Sequence, residues 1–296
     1  MQRRSRGSRI VALRYTPGPC IRPAVRPSTR SPTQESPRVS TEPQQEEGVV
    51  AGTLRAIVPA LLIALVIRTV LFQPVSIPSG SMKPTLLIGD YLLVSKFTYG
   101  YSHYSLPFGP PVFSGRIFAS LPNRGDIIVF RSPTDDSVDL IKRTIGLPGD
   151  RIEVKGGTVY INATPVKRER IDDFVGEDPC QPAPVFALIA RVPRWRETLP
   201  NGVSYDTLDC PLVAPYPDPD NTPVYHVPPD HFFMMGDNRH NSTDSRFLRE
   251  VGYVPFENLI GRSQIVFFSV AEGESAWQVW RWPWSVRWSR IGTLVR

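Results

Sequence analysis

The first long apolar stretch of the chain is "AIVPALLIALVI", residues 56–67. The sequence "RTVLF" extends it to Phe72, with Arg68 as its one charged interruption. A helix needs about 20 predominantly apolar residues to cross a bilayer, with a range of roughly 17 to 25. An arginine near its end can extend to the lipid headgroups. We therefore predict a transmembrane helix over residues 51–73; the alternative is a buried helix of a soluble domain.

Downstream of this stretch the hydrophobic pattern changes to short β-type segments separated by Gly, Pro, Asn and Asp. Such spacing is typical of an antiparallel all-β body, and Gly156-Gly157 predicts a hairpin turn. We assign residues 74–162 and 221–296 to one mainly β domain. The segments are "DYLLVSKF" (90–97), "DIIVFRS" (126–132), "DLIKRTIG" (139–146), "RIEVKGGTVYIN" (151–162) and "SQIVFFSV" (263–270).

Two parts of the chain lack this pattern. Residues 163–220 are Pro-rich, and we expect an irregular insertion or a smaller second lobe there. Residues 1–50 are rich in Arg, Pro, Ser and Glu with few aromatic residues. Because so polar a segment cannot bury enough apolar surface to offset its ordering entropy, we predict a disordered basic tail.

The charge distribution limits the choice of partners. The net charge is +6, and residues 1–50 contribute +5 of it through nine arginines and four glutamates. The body is therefore nearly neutral, and we expect no nucleic-acid partner. Basic residues before the apolar stretch, with no comparable cluster soon after it, predict a cytoplasmic N-terminus. Everything from Gln73 onward would then lie outside the cytoplasm.

Cysteine and histidine spacing gives no sign of a metal site. The three cysteines, Cys20, Cys180 and Cys210, form no CxxC motif. Cys180 and Cys210 either pair in an oxidising compartment or remain free thiols, since spacing alone cannot show proximity. The four histidines are scattered and form no HExxH motif, so we expect neither metal nor cofactor.

Tryptophan is concentrated near the end of the chain. Five of the six Trp residues lie in residues 277–288, interleaved with Arg. This composition suits a membrane interface, and packing against the β-body is the alternative. Membrane lipid is therefore an expected partner.

Two serines, Ser79 and Ser81, flank Gly80 in "IPSGSMKPTLLIGD" (77–90), close after the apolar stretch. A serine hydroxyl becomes a nucleophile only when a base accepts its proton. In "VDLIKRTIG" the period of two places Lys142 on the same strand face as Val138 and Leu140. Burial there would lower the lysine pKa and supply a neutral amine as general base. Periodicity alone favours the alternative, a strand-end lysine whose ammonium reaches water.

Four blocks of the sequence, taken in their order along the chain, resemble a known protein family. They are "IPSGSMKPTLLIGDYLLVSKF", "RGDIIVFRSP", "DLIKRTIGLPGDRIEV" and "MMGDNRHNSTDSR". Together they resemble bacterial type I signal peptidases, the membrane-anchored serine proteases that remove signal peptides from exported proteins. The resemblance runs from about residue 68 to residue 270, with "VRWSRIG" near the end also matching, and it is loose between 163 and 220. It implies a single-pass enzyme of the inner (cytoplasmic) membrane, with its catalytic domain periplasmic or extracytoplasmic.

The resemblance also implies roles for individual residues. Ser81 matches the nucleophile, Lys142 the general base, and Ser79 the residue whose hydroxyl joins the Ser81 N–H in an oxyanion hole. Ser242 matches the serine that orients the lysine amine. Asp244 and Arg246 match a supporting charge pair, and Asp237 and Arg143 belong to the same framework. The substrate pocket would comprise Val75, Ile77, Pro78, Met82, Leu86, Leu140 and Ile141.

The implied reaction is cleavage of precursors after small residues, in an Ala-X-Ala pattern, by a monomer without cofactors. The substrate would add as a strand between residues 75–82 and 139–142. One departure is visible: His240 stands where the family usually has Asp or Asn. We do not assign it as a base, although it could alter the charge near Ser242.

Three other interpretations remain open. A self-cleaving repressor carries a similar Ser-Met element but needs a cytoplasmic DNA-binding domain where this chain has an apolar stretch. A peptidase of the mitochondrial inner membrane would fit the Arg-rich, acid-poor residues 1–30. An anchored β-domain that binds partners without catalysis would leave the match of the four blocks as coincidence.

Overall fold

The computed structural model describes residues 49–106, 109–177, 180, 189–210 and 218–296. Cys20 and residues 1–48 of the predicted disordered tail lie outside the described residues, and the last two residues of that predicted tail are helical. The remainder is β-rich with antiparallel sheets and one N-terminal apolar helix, as the sequence predicts.

The apolar stretch forms helix α1 (Val49–Val66), which continues as a π-helical turn over Ile67–Leu71. In the described part of the chain, one helix is long and apolar enough to cross a membrane. It covers Gly52–Leu71, has a mean hydropathy of 2.2 and is not buried inside the protein. A helix that is apolar and exposed on all sides requires an apolar environment. The helix is therefore not buried against the described residues of the chain, which differs from the alternative of a core helix.

The first strand, β1, begins directly after the π-helical turn. The main sheet has seven strands in the order β1-β2-β14-β3-β4-β12-β13, and every neighbouring pair is antiparallel. The strands are β1 (Phe72–Ser76), β2 (Asp90–Ser95), β3 (Ile127–Arg131), β4 (Asp139–Gly146), β5 (Arg151–Lys155), β6 (Thr158–Ile161), β7 (Thr164–Pro165), β8 (Lys167–Glu177), β9 (Ile189–Thr198), β10 (Ser204–Leu208), β11 (Tyr225–His226), β12 (His231–Met235), β13 (Val254–Pro255) and β14 (Leu259–Ser269).

Buried and exposed residues do not alternate along strand β4. Residues 141–146 are all buried, so both faces of this strand are covered, and period-two reasoning cannot distinguish an inward from an outward side chain. Val138, which the pattern placed on the lysine's face, precedes the strand and is 40% exposed.

The body contains a second sheet that carries the predicted hairpin. Its strands are ordered β11-β5-β6-β7. Lys155 pairs with Thr158 across the turn, and Gly156 and Gly157 take φ values of +51° and +73°. Positive φ at both central residues is what a tight hairpin turn requires.

The segment expected to be irregular contains a three-stranded antiparallel sheet, β10-β9-β8. Its strands are rich in Arg, Asp and Glu that pair across the surface, as Arg196 and Asp206 do at 2.9 Å. The apolar alternation that marks a half-buried strand is therefore weak. Cys180 and Cys210 are joined by a disulfide, with Cα atoms 5.3 Å apart, which resolves the open choice in favour of pairing.

Of the tryptophans near the end of the chain, one packs against the β-body and four are exposed. Trp282, in helix α2 (Trp282–Ser285), packs on Phe268 with ring centroids 5.1 Å apart. Four others point outward with 59–88% of their area exposed: Trp277, Trp280, Trp284 and Trp288.

Candidate active site

The two residues assigned to nucleophile and base meet although 61 residues separate them in sequence. Nζ of Lys142, on β4, lies 2.5 Å from Oγ of Ser81, and both side chains are buried. Ser81 lies in a tight turn, where the Lys83 N–H donates to the Gly80 carbonyl at 3.0 Å. The arrangement places a hydroxyl within proton-transfer distance of an amine.

Lys142 is 3% exposed, so the alternative that periodicity favoured, an ammonium reaching water, is wrong. Burial lowers the pKa of Lys142 to about 8, against the opposing effect of the Asp244 carboxylate. Desolvation penalises the charged form of an amine. A substantial fraction of Lys142 is therefore neutral, and able to accept a proton, near physiological pH.

The loop after β12 carries the supporting charges. Asp244 accepts two hydrogen bonds from the Arg246 guanidinium, at 2.9 Å each, and a third from the Gly236 N–H at 3.0 Å. Burial raises the pKa of the Asp244 carboxyl, but these partners outweigh it, and the pKa lies below its ordinary value. Asp244 therefore remains a carboxylate inside the protein.

Ser242 differs from the expectation in its hydrogen bond. Its hydroxyl donates to Oδ2 of Asp244 at 2.8 Å, and the amine of Lys142 bonds to Ser81 instead. The charged carboxylate is the stronger acceptor, which explains the direction of the hydroxyl. Within the described residues, Ser242 is thus linked to Lys142 through the charge of Asp244.

Arg143 and Asp237 form a buried bidentate pair, at 2.8 and 2.7 Å. Thr85 donates to the same carboxylate at 2.5 Å, and the Arg143 guanidinium lies 4.0 Å from the Tyr205 ring centroid. This pair therefore connects β4, the segment after Ser81 and the β8–β10 sheet.

The residues assigned to the substrate pocket do not all cluster together. One apolar cluster contains Val75, Ile77, Met82, Leu86 and Ile141. Leu140 packs against a different cluster, which includes Phe130 and Phe232, because neighbouring strand residues point to opposite faces. Pro78 and Ser79 are exposed beside Ser81.

Sequence reasoning missed two residues that hold the nucleophile turn. The Asn238 backbone N–H donates to the Ser81 carbonyl at 3.0 Å, and its side-chain amide donates to the Gly80 carbonyl at 3.1 Å. A Cβ on Gly236 would lie 2.2 Å from Oγ of Ser242 and 2.5 Å from the Ser81 carbonyl oxygen. Both residues stand in the block "MMGDNRHNSTDSR", whose small and amide residues were the available signal.

A buried polar cluster beside this loop was also missed. Glu197, on β9, accepts from Arg239 at 2.9 and 2.6 Å and from the Tyr205 hydroxyl at 2.9 Å. Glu197 and Tyr205 lie in the segment that lacked a hydrophobic pattern, where sequence alone gives no pairing.

Comparison with known proteins identifies the family of the chain. The model of the family described as "Signal peptidase, peptidase S26" matches residues 50–268. The chain belongs to this signal peptidase family. A signal peptidase I of Rickettsia typhi is 44% identical over 207 residues, covering 68% of this chain and 74% of the relative. A signal peptidase I of Rickettsia prowazekii is 43% identical with the same coverage.

A solved signal peptidase I from Enterococcus faecalis is 25% identical, covering 48% of this chain and 97% of its own, with a TM-score of 0.27. The family assignment rests on the sequence matches rather than on this superposition. As a member of the family the chain is a protease, and its apolar helix is consistent with a membrane-anchored protein.

Proposed function

We propose that this signal peptidase cleaves precursor proteins after an Ala-X-Ala pattern at the outer face of the cytoplasmic membrane, with Ser81 as nucleophile and Lys142 as general base. The observation that carries the proposal is the 2.5 Å contact between the Lys142 amine and the Ser81 hydroxyl in a buried setting. None of the described side chains within bonding distance of Ser81 Oγ is a histidine.

The reaction has two halves. Neutral Lys142 accepts the Ser81 proton as Oγ attacks the scissile carbonyl, and it returns that proton to the leaving amine. It then activates a water that releases the acyl group from Ser81. Lys142 has the position for both transfers because its amine is held at the hydroxyl.

The developing oxyanion needs donors that stand ready before the reaction. Ser79 is exposed, two residues before the nucleophile, and its hydroxyl with the Ser81 N–H would form the oxyanion hole. Loss of one such donor typically lowers kcat by about 100- to 1000-fold. Ser79→Ala should therefore reduce kcat far more than it changes KM.

The substrate would enter as an extended strand beside β1 and β4. Ile77 and Met82 are almost fully buried next to the exposed Ser79, and they would form a shallow apolar floor suited to alanine. The N-terminal tail would be cytoplasmic, and the β-body extracytoplasmic.

The deciding experiment uses the full chain in detergent and a precursor bearing an Ala-X-Ala site. Ser81→Ala and Lys142→Met should both abolish processing. Lys96→Met is the matched control: Lys96 is equally buried and its pKa is likewise lowered by burial to about 8, but its amine donates to the Ser105 carbonyl at 2.6 Å.

Full activity of Lys142→Met would refute the Ser/Lys assignment. An equal loss in Lys96→Met would show that removing a buried lysine disrupts the fold. Protease accessibility of tags at each end of the chain in intact cells tests the orientation; a protected N-terminal tag is expected.

A further inference from the structure

His240 occupies the position where this chain departs from the family pattern, and its ring is held on both sides. Its side chain is 8% exposed. Nδ1 lies 2.5 Å from the Cys210 carbonyl oxygen, and Nε2 lies 2.8 Å from Oδ1 of Asp220. We propose that His240, in its doubly protonated form, is a positioning residue that fixes the loop carrying Ser242 to the disulfide-bonded Cys210 and to Asp220. This inference rests on the proposed function.

The argument begins with the two partners. A carbonyl and a carboxylate both accept hydrogen bonds and donate none, whereas a neutral imidazole has one N–H and one lone pair. Either neutral tautomer would therefore direct a lone pair at an acceptor, and only the imidazolium satisfies both contacts. When His240 loses its proton, one of the two attachments is lost.

The charges around the ring favour the imidazolium. Burial lowers the pKa of His240, but the hydrogen bond and charge of Asp220, the Cys210 carbonyl and the charge of Asp209 outweigh it and raise the pKa above its ordinary value. The exposed Asp218 carboxylate interacts with the ring only through its charge. Two described cations lie on this side: Arg168, whose guanidinium is paired with Asp209, and Arg246, which donates to the Pro219 carbonyl next to Asp220 at 3.3 Å.

His240 is connected to the catalytic residues by a few covalent and hydrogen-bonded links. Ser242 follows His240 by two residues, and its hydroxyl donates to Asp244. Arg246 in turn donates to the Arg239 carbonyl at 2.5 Å. On the other side of the ring, Cys210 is covalently joined to Cys180. A shift of His240 would therefore move the carboxylate that interacts with Lys142.

Two effects of pH then oppose each other. Deprotonation of Lys142 raises kcat as the pH increases toward about 8, whereas deprotonation of His240 lowers it by loosening the loop. Asp220→Asn separates the two effects of pH. The side-chain amide of the new asparagine can donate a hydrogen bond to the unprotonated Nε2 of neutral His240, while the Nδ1–H of His240 still donates to the Cys210 carbonyl. In that variant neutral His240 keeps both contacts.

The experiment compares the pH dependence of kcat in the full chain, in Asp220→Asn and in the control Asp218→Asn, which removes an equal charge from the neighbouring turn. We expect the ratio of kcat in Asp220→Asn to kcat in the unmodified chain to rise by roughly three- to tenfold from acidic to alkaline pH, as loss of one hydrogen bond implies. In Asp218→Asn the ratio should stay flat, and KM should change little in either variant.

An NMR titration of the histidine rings in the Ser81→Ala protein supplies a readout independent of activity, with His240→Asn used to assign the signal. The pKa of His240 should lie above its ordinary value and fall in Asp220→Asn. A flat ratio for Asp220→Asn, or a His240 pKa below the ordinary value, would overturn the proposal. Inactivity of every variant and of the unmodified chain, with the expected titration, would instead contradict the proposed function alone.

Discussion

Lys142 should destabilise the folded protein at neutral pH, and Lys142→Met should therefore be inactive yet more stable. Burial lowers the lysine pKa from 10.5 to about 8. Since one pKa unit corresponds to about 1.36 kcal/mol, the charged amine destabilises the fold by roughly 3 kcal/mol below pH 8. The substitution also removes the bond to Ser81, worth about 1 kcal/mol. A net gain of about 2 kcal/mol is expected.

The sign of the pH dependence follows from the same shift. The unfolded chain binds the lysine proton up to about pH 10.5 and the folded chain only up to about pH 8, so stability rises with pH between those values. The advantage of Lys142→Met should thus be full at pH 7 and largely lost near pH 10.5.

Urea unfolding of the detergent-solubilised full chain at pH 7 and near pH 10.5 measures the effect. Lys96→Met serves as the comparison, because burial also lowers the pKa of Lys96 to about 8; it should be stabilised similarly but remain active. The reasoning is refuted if Lys142→Met is less stable than the unmodified chain at pH 7, or if its advantage does not change with pH.

The lowered pKa also has a kinetic consequence. At pH 7 an amine with a pKa of about 8 is neutral in roughly one molecule in ten, some 300-fold more often than at the ordinary value. The low-pH limb of kcat/KM should therefore have its midpoint near 8.

Three further substitutions test other parts of the site. Gly236→Ala places a Cβ 2.2 Å from Ser242 Oγ and 2.5 Å from the Ser81 carbonyl; overpacking of this kind typically costs about 1–3 kcal/mol, so chemical unfolding should show that loss together with loss of processing. Gly80→Ala meets its nearest atoms at 3.5 Å, so stability should be unchanged while KM for a precursor rises if the substrate backbone passes there; an unchanged KM would contradict that path. Glu197→Gln leaves a buried arginine without its counter-charge, and a loss of about 3–5 kcal/mol in unfolding free energy is expected; a neutral result would show that water enters the cluster.

The sequence predicted the anchor and the β-body because those segments carry simple periodic signals. The apolar run, the short β-segments and the Gly156-Gly157 turn each depend on near neighbours in the chain, and the structure confirms them. The predicted β4 has the same bounds as the observed strand, residues 139–146.

Burial of Lys142 could not be derived in this way. A lysine becomes desolvated only when distant segments cover it, and here the covering comes from Ser81 and from the loop that holds Asp244. The family resemblance identified the residue, whereas periodicity favoured the wrong environment. The strands β8–β10 were missed for a related reason, since their stabilising contacts are cross-strand ion pairs rather than an apolar face.

The C-terminal end of the apolar helical segment is hydrogen-bonded directly to the β-body. The Lys96 N–H donates to the Leu71 carbonyl at 3.0 Å, and the Tyr101 hydroxyl donates to the Val70 carbonyl at 2.8 Å. With the end of the helix bonded to the body, no flexible linker lets Ser81 vary its height above that end. Under the proposed function, a precursor inserted in the same bilayer would be cut at a fixed distance from its own apolar segment, so the length of its polar spacer would select the bond as much as the side chains do.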